Sequence, residues 1–213
     1  MNAVEATRLT FRHGRHFALG PLDLEVAAGE RLAVLGENGA GKTTLLRLLA
    51  TVDRPGAGEL RVLGLDPAAA RSALRARIGY LGHDPGLYPH LTARENLEFF
   101  CSLRAVPRVR AEELLEAAGC VGVAGIRAAD LSRGMRQRLA LTRSLLHDPE
   151  LWILDEPDSS LDEAGRRLVA SLAAGRTLVL ATHDAEFAAS TCSRRLRLEA
   201  GRLAAGPRLE LAL

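Results

Sequence analysis

The stretch GENGAGKTT at residues 36–44 restricts the possible folds more than any other part of the chain. It follows the apolar run LAVL at 32–35 and leads into LLRLL at 45–49, so a strand, a glycine-rich turn and a helix are predicted in that order. In that setting glycines let successive backbone N–H groups converge on an anion, and the helix N-terminus adds its positive end. The pattern predicts a phosphate-binding loop, whose candidate residues are Gly36, Asn38, Gly39, Ala40, Gly41, Lys42, Thr43 and Thr44.

The basic residue of this loop differs from all other basic residues in the chain. Lys42 is the only lysine, and all the other residues in the Lys and Arg count are arginines. A compact ammonium suits the β- and γ-phosphates of a nucleotide as a mobile point charge, and the adjacent Thr43 hydroxyl suits Mg²⁺. The alternative is a glycine-rich turn that binds nothing, and the single retained lysine argues against it.

The composition is that of an ordinary globular protein. The 213 residues allow one or two domains, with 47% apolar and 25% charged residues, and a net charge of +2 is too small to indicate nucleic acid as a partner. Three scattered cysteines, Cys101, Cys120 and Cys192, favour reduced thiols that pack in a cytosolic protein. No run reaches the roughly 18 apolar residues of a membrane span, and residues 1–5 do not resemble a signal peptide. We therefore expect a cytoplasmic chain that only a partner holds at the membrane.

Strand and helix patterns alternate along most of the chain. Residues 4–11 and 17–26 alternate apolar and polar positions, which predicts an antiparallel sheet, and a terminal hairpin is expected to turn at Gly201. Apolar strands followed by helices elsewhere predict an α/β fold with a mainly parallel core sheet. Asp66 and Pro67 predict the start of a helix that runs to about Arg77.

The block at residues 86–149 shows helical patterns and no strand signal. We expect a single domain over 1–213, with its α/β core at 1–85 and 150–213 and this block inserted as a helical subdomain. Within the block, TARE at 92–95 has the spacing of a capping box at a helix N-terminus.

Polar residues follow three of the predicted apolar strands. The first group is the phosphate-binding loop, the second is Asp155 with Glu156, and the third is His183. Because parallel strands place their carboxyl ends at one edge of a sheet, we expect these groups to meet there. The set suits phosphoryl transfer, with Asp155 holding Mg²⁺, Glu156 acting as general base on the attacking water, and His183 contacting the γ-phosphate or that water. The alternative for the two acids, a solvated strand end, is less favoured with a phosphate-binding loop upstream.

Further motifs give the chain a resemblance to a known family. Residues 131–138, LSRGMRQR, resemble the signature motif of the nucleotide-binding ATPase subunits of ABC transporters. Residues 151–157, LWILDEP, are similar to that family's Walker B strand with its catalytic glutamate, and SSLD at 159–162 is similar to its D-loop. His183 resembles the family's switch histidine. The resemblance covers essentially the whole chain, and the order of the motifs is specific.

The resemblance implies an assembly as well as an activity. It implies hydrolysis of ATP with Mg²⁺ by a head-to-tail homodimer that drives integral membrane permease subunits. In such a pair, Ser132 and Gly134 of one chain would complete the phosphate site of the other. Both residues stand at a predicted helix N-terminus, which suits a γ-phosphate, whereas within one chain Ser132 would be only a helix cap.

Three positions depart from the family's pattern. Arg133 replaces the usual first glycine of the signature motif. His13 stands where the family often has an aromatic residue that stacks on adenine, and a polar loop histidine is an equal alternative. His83 replaces the usual glutamine, and we expect its neutral imidazole to take over part of the contact with Mg²⁺. The competing interpretation is that His83 faces solvent and that Asp84 or the backbone makes this contact.

The loop at residues 82–97 most resembles the haem-exporter ATPase of bacterial cytochrome c maturation, in which a Gly-His pair also replaces Pro-Gln. ATPase subunits of other exporters, for drugs, lipids or small molecules, share much of this pattern. A soluble ABC ATPase that acts on DNA or ribosomes would usually carry a long coiled coil or a second ATPase half. A switch GTPase would need an Asn-Lys-x-Asp motif, which is absent because Lys42 is the only lysine.

The helical block also contains a candidate surface for a membrane subunit. Tyr88, Leu91, Phe99 and Phe100 are its proposed members. The alternative is that these side chains form the core of the subdomain, which is the favoured interpretation for Phe99 and Phe100 taken individually.

Overall fold

The computed structural model of the chain describes residues 1–14, 16–204 and 209–210. Its strands are β1 (Asn2–His13), β2 (His16–Ala27), β3 (Arg31–Leu35), β4 (Ala57–Val62), β5 (Ile78–Leu81), β6 (Leu151–Asp155), β7 (Thr177–Thr182), β8 (Arg194–Glu199), β9 (Arg202–Leu203) and β10 (Leu209–Glu210). Its helices are α1 (Lys42–Leu49), α2 (Arg71–Arg77), α3 (Ala93–Leu103), α4 (Val109–Ala117), α5 (Arg133–Ser144), α6 (Glu163–Leu172) and α7 (Ala185–Thr191), with 3₁₀ turns at Val121–Val123 and Ala128–Asp130. Among these described helices, none has the length and apolar content that crossing a bilayer requires.

A three-stranded antiparallel sheet is formed by the order β2-β1-β4. Val4 of β1 lies opposite Val26 on one side and Val62 on the other, and all three side chains are fully buried. The alternating pattern of Leu22 and Leu24 places these residues on the same buried face. The predicted antiparallel sheet is confirmed.

The larger sheet has the order β10-β8-β3-β7-β6-β5, and β9 pairs with β8. The strands β8, β3, β7, β6 and β5 are mutually parallel, and β9 and β10 run antiparallel to β8. The register pairs Leu35 with Thr182 and Asp155 with Ala181, so the carboxyl ends of β3, β7 and β6 lie at one edge. The predicted mainly parallel core and the terminal hairpin are confirmed.

The parallel strands are buried on both faces, as expected for strands that are apolar throughout. Leu32 and Val34 pack into the cluster that contains α1 and the antiparallel sheet. The intervening Ala33 and the alternating Trp152 and Leu154 pack into the cluster on the opposite face, which contains the helices after β5. The main sheet therefore separates two hydrophobic cores, because successive side chains of a strand point to opposite faces.

Residues 82–150, all of which the structure describes, contain helices and turns and no strand. Thr92 caps α3 and forms the predicted capping box with Glu95, in which both reciprocal hydrogen bonds are present. The borders of the subdomain at residues 86 and 149 stay a prediction.

The expected helix start at Asp66 is wrong. The helix α2 begins at Arg71, and Asp66 Oδ1 instead accepts a hydrogen bond from the Ala68 N–H at 2.8 Å, which forms a local turn. The Ala70 N–H also donates to Asp66 O at 2.9 Å, so Asp66 caps a single helical turn. That turn does not continue into α2, because the backbone of Ala70, with φ of −120° and ψ of 29°, is not helical.

Candidate functional site

The loop between β3 and α1 has the backbone geometry that its glycines predict. Gly36, Gly39 and Gly41 have positive φ angles of 155°, 81° and 100°. A Cβ on Gly41 would lie 2.7 Å from the carbonyl oxygen of Ala18, so this position excludes side chains by contact as well as by conformation. The Gly201 N–H donates to Ala40 O at 2.9 Å and ties the loop to the terminal hairpin.

The N-terminus of α1 is open to an anion. Gly41 precedes the helix, and no side chain of the described residues caps it. The first intrahelical bond that involves Gly41 is donated by the Leu45 N–H at 2.9 Å. The N–H groups of the first turn are therefore the groups that a phosphate at this helix end can use.

Lys42 lies across the loop. Its side chain is 5% exposed, and its Nζ donates to Gly36 O at 2.7 Å and to Glu37 O at 3.1 Å. The same ammonium lies 3.8 Å from Glu156 Oε1. The predicted phosphate lysine is thus held by its own loop and faces the acid that follows β6.

Asp155 is the last residue of β6 and is 3% exposed. Burial raises its pKa; the Thr43 hydroxyl opposes that rise, the neighbouring Glu156 adds to it, and His83 and Lys42 oppose it. No described residue donates a hydrogen bond of good geometry to either oxygen of the carboxyl group. A buried carboxylate in this condition requires a partner.

These residues fit a magnesium ion that is shared with a phosphate. Mg²⁺ usually takes one or two protein oxygens and completes its shell with waters and substrate phosphates. The orphaned Asp155 carboxylate beside the Thr43 hydroxyl supplies such oxygens. Among the residues that the structure describes, no group of three or more histidine, cysteine, aspartate or glutamate side chains is placed to hold a metal ion.

Glu156 follows β6 directly and is 26% exposed. Its φ of 48° is in the left-handed region, which costs a non-glycine residue roughly 1 kcal/mol or more. The surrounding structure maintains this conformation, because the Glu156 N–H donates to Ala181 O at 2.9 Å and the Ser159 N–H donates to Glu156 O at 3.3 Å.

His183 follows β7, and its Nδ1 lies 3.8 Å from Glu156 Oε1. The histidine side chain is 63% exposed, so it projects from the sheet edge toward solvent. One carboxylate oxygen of Glu156 is therefore equally distant from the Lys42 ammonium and the His183 imidazole. The structure brings together the groups that were expected to meet at the carboxyl ends of the strands.

The two predicted signature residues lie at the N-terminus of α5. Ser132 is exposed, and its Oγ accepts a hydrogen bond from the Met135 N–H at 3.2 Å, which makes it the helix cap. A Cβ on Gly134 would lie 2.9 Å from Ser160 O, so the helix start packs tightly on the loop after β6. Gln137 Nε2 also donates to Pro157 O of that loop at 3.1 Å.

The structure bears differently on the predictions for His83 and His13, the two histidines that depart from the family's pattern. His83 is exposed, and its imidazole is close enough to Asp155 to affect the pKa of that carboxyl group. Both interpretations of His83 stay open, because exposure and proximity to the acid occur together. The expected stacking role of His13 concerns a side chain that lies outside the described residues.

Sequence reasoning missed two buried polar residues, one in the loop after β6 and one in α3. Asp158 is 4% exposed and accepts a hydrogen bond from Thr182. Asn96 is fully buried, and its amide bonds the backbone of Tyr88 in both directions, at 2.7 Å and 3.0 Å. Polar residues are usually assigned to the surface. The helical spacing of Asn96 was a signal that could have found it, because it shares the buried face of α3 with Ala93, Leu97 and Cys101.

The chain is similar to proteins of known families over nearly its full length. A family model described as ABC transporter matches residues 19–159. The cytochrome c biogenesis ATP-binding export protein CcmA of Bordetella bronchiseptica is 42% identical over 210 residues, which are 93% of this chain and 93% of that protein. The Nod factor export ATP-binding protein I of Rhizobium meliloti is 41% identical over 93% of this chain, which spans 62% of that protein.

A solved structure of related fold agrees with these matches. It is a dimeric ATP-binding cassette in a post-hydrolysis state bound to ADP and Pi, with 27% sequence identity. The TM-score is 0.87, and the match covers 98% of this chain and 100% of that chain. On its sequence and its fold, this chain belongs to the ABC transporter family, as an ABC ATPase domain.

Proposed function

We propose that this chain is the ATP-binding subunit of an ABC transporter and that it hydrolyses MgATP in a head-to-tail homodimer. The observation that supports this function is the position of one Glu156 oxygen, 3.8 Å from both Lys42 Nζ and His183 Nδ1. A base, a cation and an imidazole converge beside an open helix N-terminus, which is the arrangement that phosphoryl transfer to water requires.

Each residue of the site has a separate role in the proposed hydrolysis. The loop backbone and the N-terminus of α1 bind the phosphates, and Lys42 exchanges its bonds to Gly36 O and Glu37 O for phosphate oxygens. Thr43 and Asp155 would hold Mg²⁺, which supplies neutralisation of the charge on the β- and γ-phosphates. Glu156 accepts the proton of the attacking water, and His183 orients that water or the γ-phosphate.

The dimer is supported by the exposed cap of α5. Ser132 and Gly134 lie at a helix N-terminus, where a positive dipole end and backbone N–H groups favour an anion. In a head-to-tail pair, these residues of one chain contact the γ-phosphate bound to the other. The solved relative that is dimeric and bound to ADP and Pi supports this arrangement.

Two histidines complete the proposed nucleotide site. His83 acts as an acceptor near Mg²⁺, in line with its proximity to Asp155. His13 stacks on the adenine at the outer end of the antiparallel sheet. Both roles follow from the family resemblance at residues 13 and 83, and each can be tested by substituting the histidine.

An aromatic surface on the helical block is the proposed contact with integral membrane permease subunits. Tyr88 and Phe99 are 46% and 41% exposed, and their ring centroids lie 4.9 Å apart. Phe100 completes the cluster, and Leu103 on the same helix is 69% exposed. Exposed apolar side chains in a group favour a protein contact. Such a contact holds the chain peripherally at the cytoplasmic face of the membrane.

Haem export for cytochrome c biogenesis is the transport role that we propose. The support is the similarity to CcmA, which covers 93% of both chains, together with the Gly-His pair at residues 82 and 83. The second candidate is another exporter, because a Nod factor export protein is similar to nearly the same degree.

The test is purification of the full chain from its own cell, with measurement of ATP hydrolysis and of co-purifying proteins. The expected result is Mg²⁺-dependent hydrolysis and recovery of integral membrane subunits. Recovery of ribosomes or DNA in place of membrane subunits would overturn the transport role, and a haem-handling partner would distinguish the two export roles.

A further inference from the structure

Asp158 is a buried acid to which the proposed mechanism gives no role. It lies two residues after Glu156 and is 4% exposed. Its Oδ2 accepts a hydrogen bond from Thr182 Oγ1 at 3.0 Å, and its Oδ1 accepts none from any other described residue. Burial raises the pKa of this carboxyl group. A buried carboxyl group with so few partners is costly, so its presence at this position calls for a compensating role.

The partner of Asp158 belongs to the turn that carries His183. Thr182 is fully buried, and its hydroxyl group, which donates to Asp158, also accepts a hydrogen bond from the Asp184 N–H at 3.0 Å. Asp184 in turn caps α7 and forms an ion pair with Arg166 at 2.6 Å. The residues on both sides of His183 are therefore held in place, while the imidazole itself is 63% exposed.

The bond to Thr182 extends an existing connection between two strand ends. The Glu156 N–H donates to Ala181 O at 2.9 Å, which joins the main chains after β6 and within β7. This bond ends one residue before Thr182. The side chain of Asp158 continues the connection to the last residue of β7, immediately before His183.

We propose that Asp158 is a positioning residue, which fixes the turn that carries His183 relative to Glu156 through its hydrogen bond to Thr182. The inference rests on the proposed role of His183 in hydrolysis. If Asp158 acts through His183, the loss of Asp158 lowers turnover and leaves ATP binding intact. Asp158 itself contacts neither the nucleotide nor the water in this scheme.

The test is a double-mutant cycle in the full-length chain with steady-state ATP hydrolysis as the readout. We expect Asp158→Ala to lower kcat about tenfold and to change the KM for ATP less than about twofold, since misplacement of a group costs turnover rather than binding. Asp158→Asn keeps an acceptor for Thr182 and is expected to recover most of the loss. In the His183→Ala background, Asp158→Ala is expected to cause no further loss.

The other possible outcomes show separately whether the role of Asp158 or the role of His183 is wrong. Equal losses from Asp158→Ala with and without His183 would overturn the inference, because the acid would then act independently. If His183→Ala is impaired and Asp158→Ala is not, the inference alone fails. If His183→Ala has wild-type activity, the proposed role of the histidine fails as well.

Two controls separate positioning from folding. Thr182→Val removes the same hydrogen bond from the other side, together with the bond from the Asp184 N–H, and it replaces Asp158→Ala if that variant does not fold. Glu150→Ala removes an acid that bonds Arg77 before β6 begins, at the opposite end of the strand, and is expected to leave kcat unchanged. A loss of kcat in Glu150→Ala equal to that in Asp158→Ala would also overturn the inference.

Discussion

At the scale of single residues, Glu156 combines a strained backbone with a carboxylate at the centre of the site. Its left-handed backbone, with φ of 48°, is held by the hydrogen bond to Ala181 O. Strained residues of this kind persist where the surrounding structure determines them, and they cluster at functional sites. Here the strain turns the chain sharply after β6 and places the carboxylate between Lys42 and His183.

Glu156→Gln tests the proposed general base. The amide keeps the size of the side chain but cannot accept the proton of water, so we expect ATP hydrolysis to fall at least about 100-fold. ATP binding, measured by calorimetry, is expected to change little. Glu150→Gln, at the opposite end of β6, is the matched control and should retain the rate. Wild-type hydrolysis by Glu156→Gln would require a different base.

His83→Ala tests the proposed contact near Mg²⁺. The loss of one hydrogen-bond acceptor is expected to raise the Mg²⁺ concentration for half-maximal hydrolysis about fivefold. The measurement is a Mg²⁺ titration of the ATPase rate with the transport partner present. His90→Ala removes another exposed histidine from the same loop and is the control. Identical Mg²⁺ dependence in both variants would leave His83 with no part in the mechanism.

At the scale of elements, the capping box of α3 stabilises the helix that carries the aromatic surface. Thr92 Oγ1 accepts from the Glu95 N–H at 3.1 Å, and Glu95 Oε2 accepts from the Thr92 N–H at 2.8 Å. These bonds satisfy backbone donors that a helix end leaves unpaired. The helix start, and with it the position of Phe99 and Phe100, depends on this pair.

Thr92→Ala is expected to lower the free energy of unfolding by about 1 kcal/mol, since it removes the cap. For a chain of this length, the melting temperature is expected to fall by about 2–4 °C. Thr92→Ser keeps the hydroxyl and should keep most of the stability. A thermal melt of Thr92→Ala that matches wild type would show that other contacts fix the start of α3.

Helix starts illustrate how far local sequence patterns predict structure. The capping box at Thr92 is confirmed because both of its partners are within one turn of chain. The expected start at Asp66 is wrong because the turn that its side chain caps is interrupted at Ala70, whose backbone is not helical, and the helix begins only at Arg71. An acidic or hydroxyl side chain before a helical pattern can cap either a continuing helix or a single turn. The packing of the residues that follow decides which of the two forms.

At the scale of the whole molecule, the helices that follow the phosphate-binding loop and the signature residues pack on opposite faces of the main sheet. The helix α1 packs with the antiparallel sheet on one face of the main sheet. The helix α5 packs with the helical block on the other face. In the head-to-tail pair that we propose, Ser132 of one chain contacts the nucleotide that is bound to the other.

A mixing experiment tests this arrangement directly. Lys42→Ala removes the phosphate lysine, and Ser132→Arg blocks the signature surface, so each variant alone should be nearly inactive. In an equimolar mixture, half of the dimers carry one intact site, so about a quarter of the wild-type activity is expected. A mixture no more active than its components would contradict the proposed sharing of sites between chains.

The sequence by itself determined the local features of this protein. The phosphate-binding loop, the apolar strands, the capping box at Thr92 and the order of the family motifs depend on residues that are neighbours in the chain. The tertiary structure alone decided which distant groups meet. The 3.8 Å separations at Glu156 and the bond between Asp158 and Thr182 arise from the register of parallel strands, and that register is set by packing on both faces of the sheet.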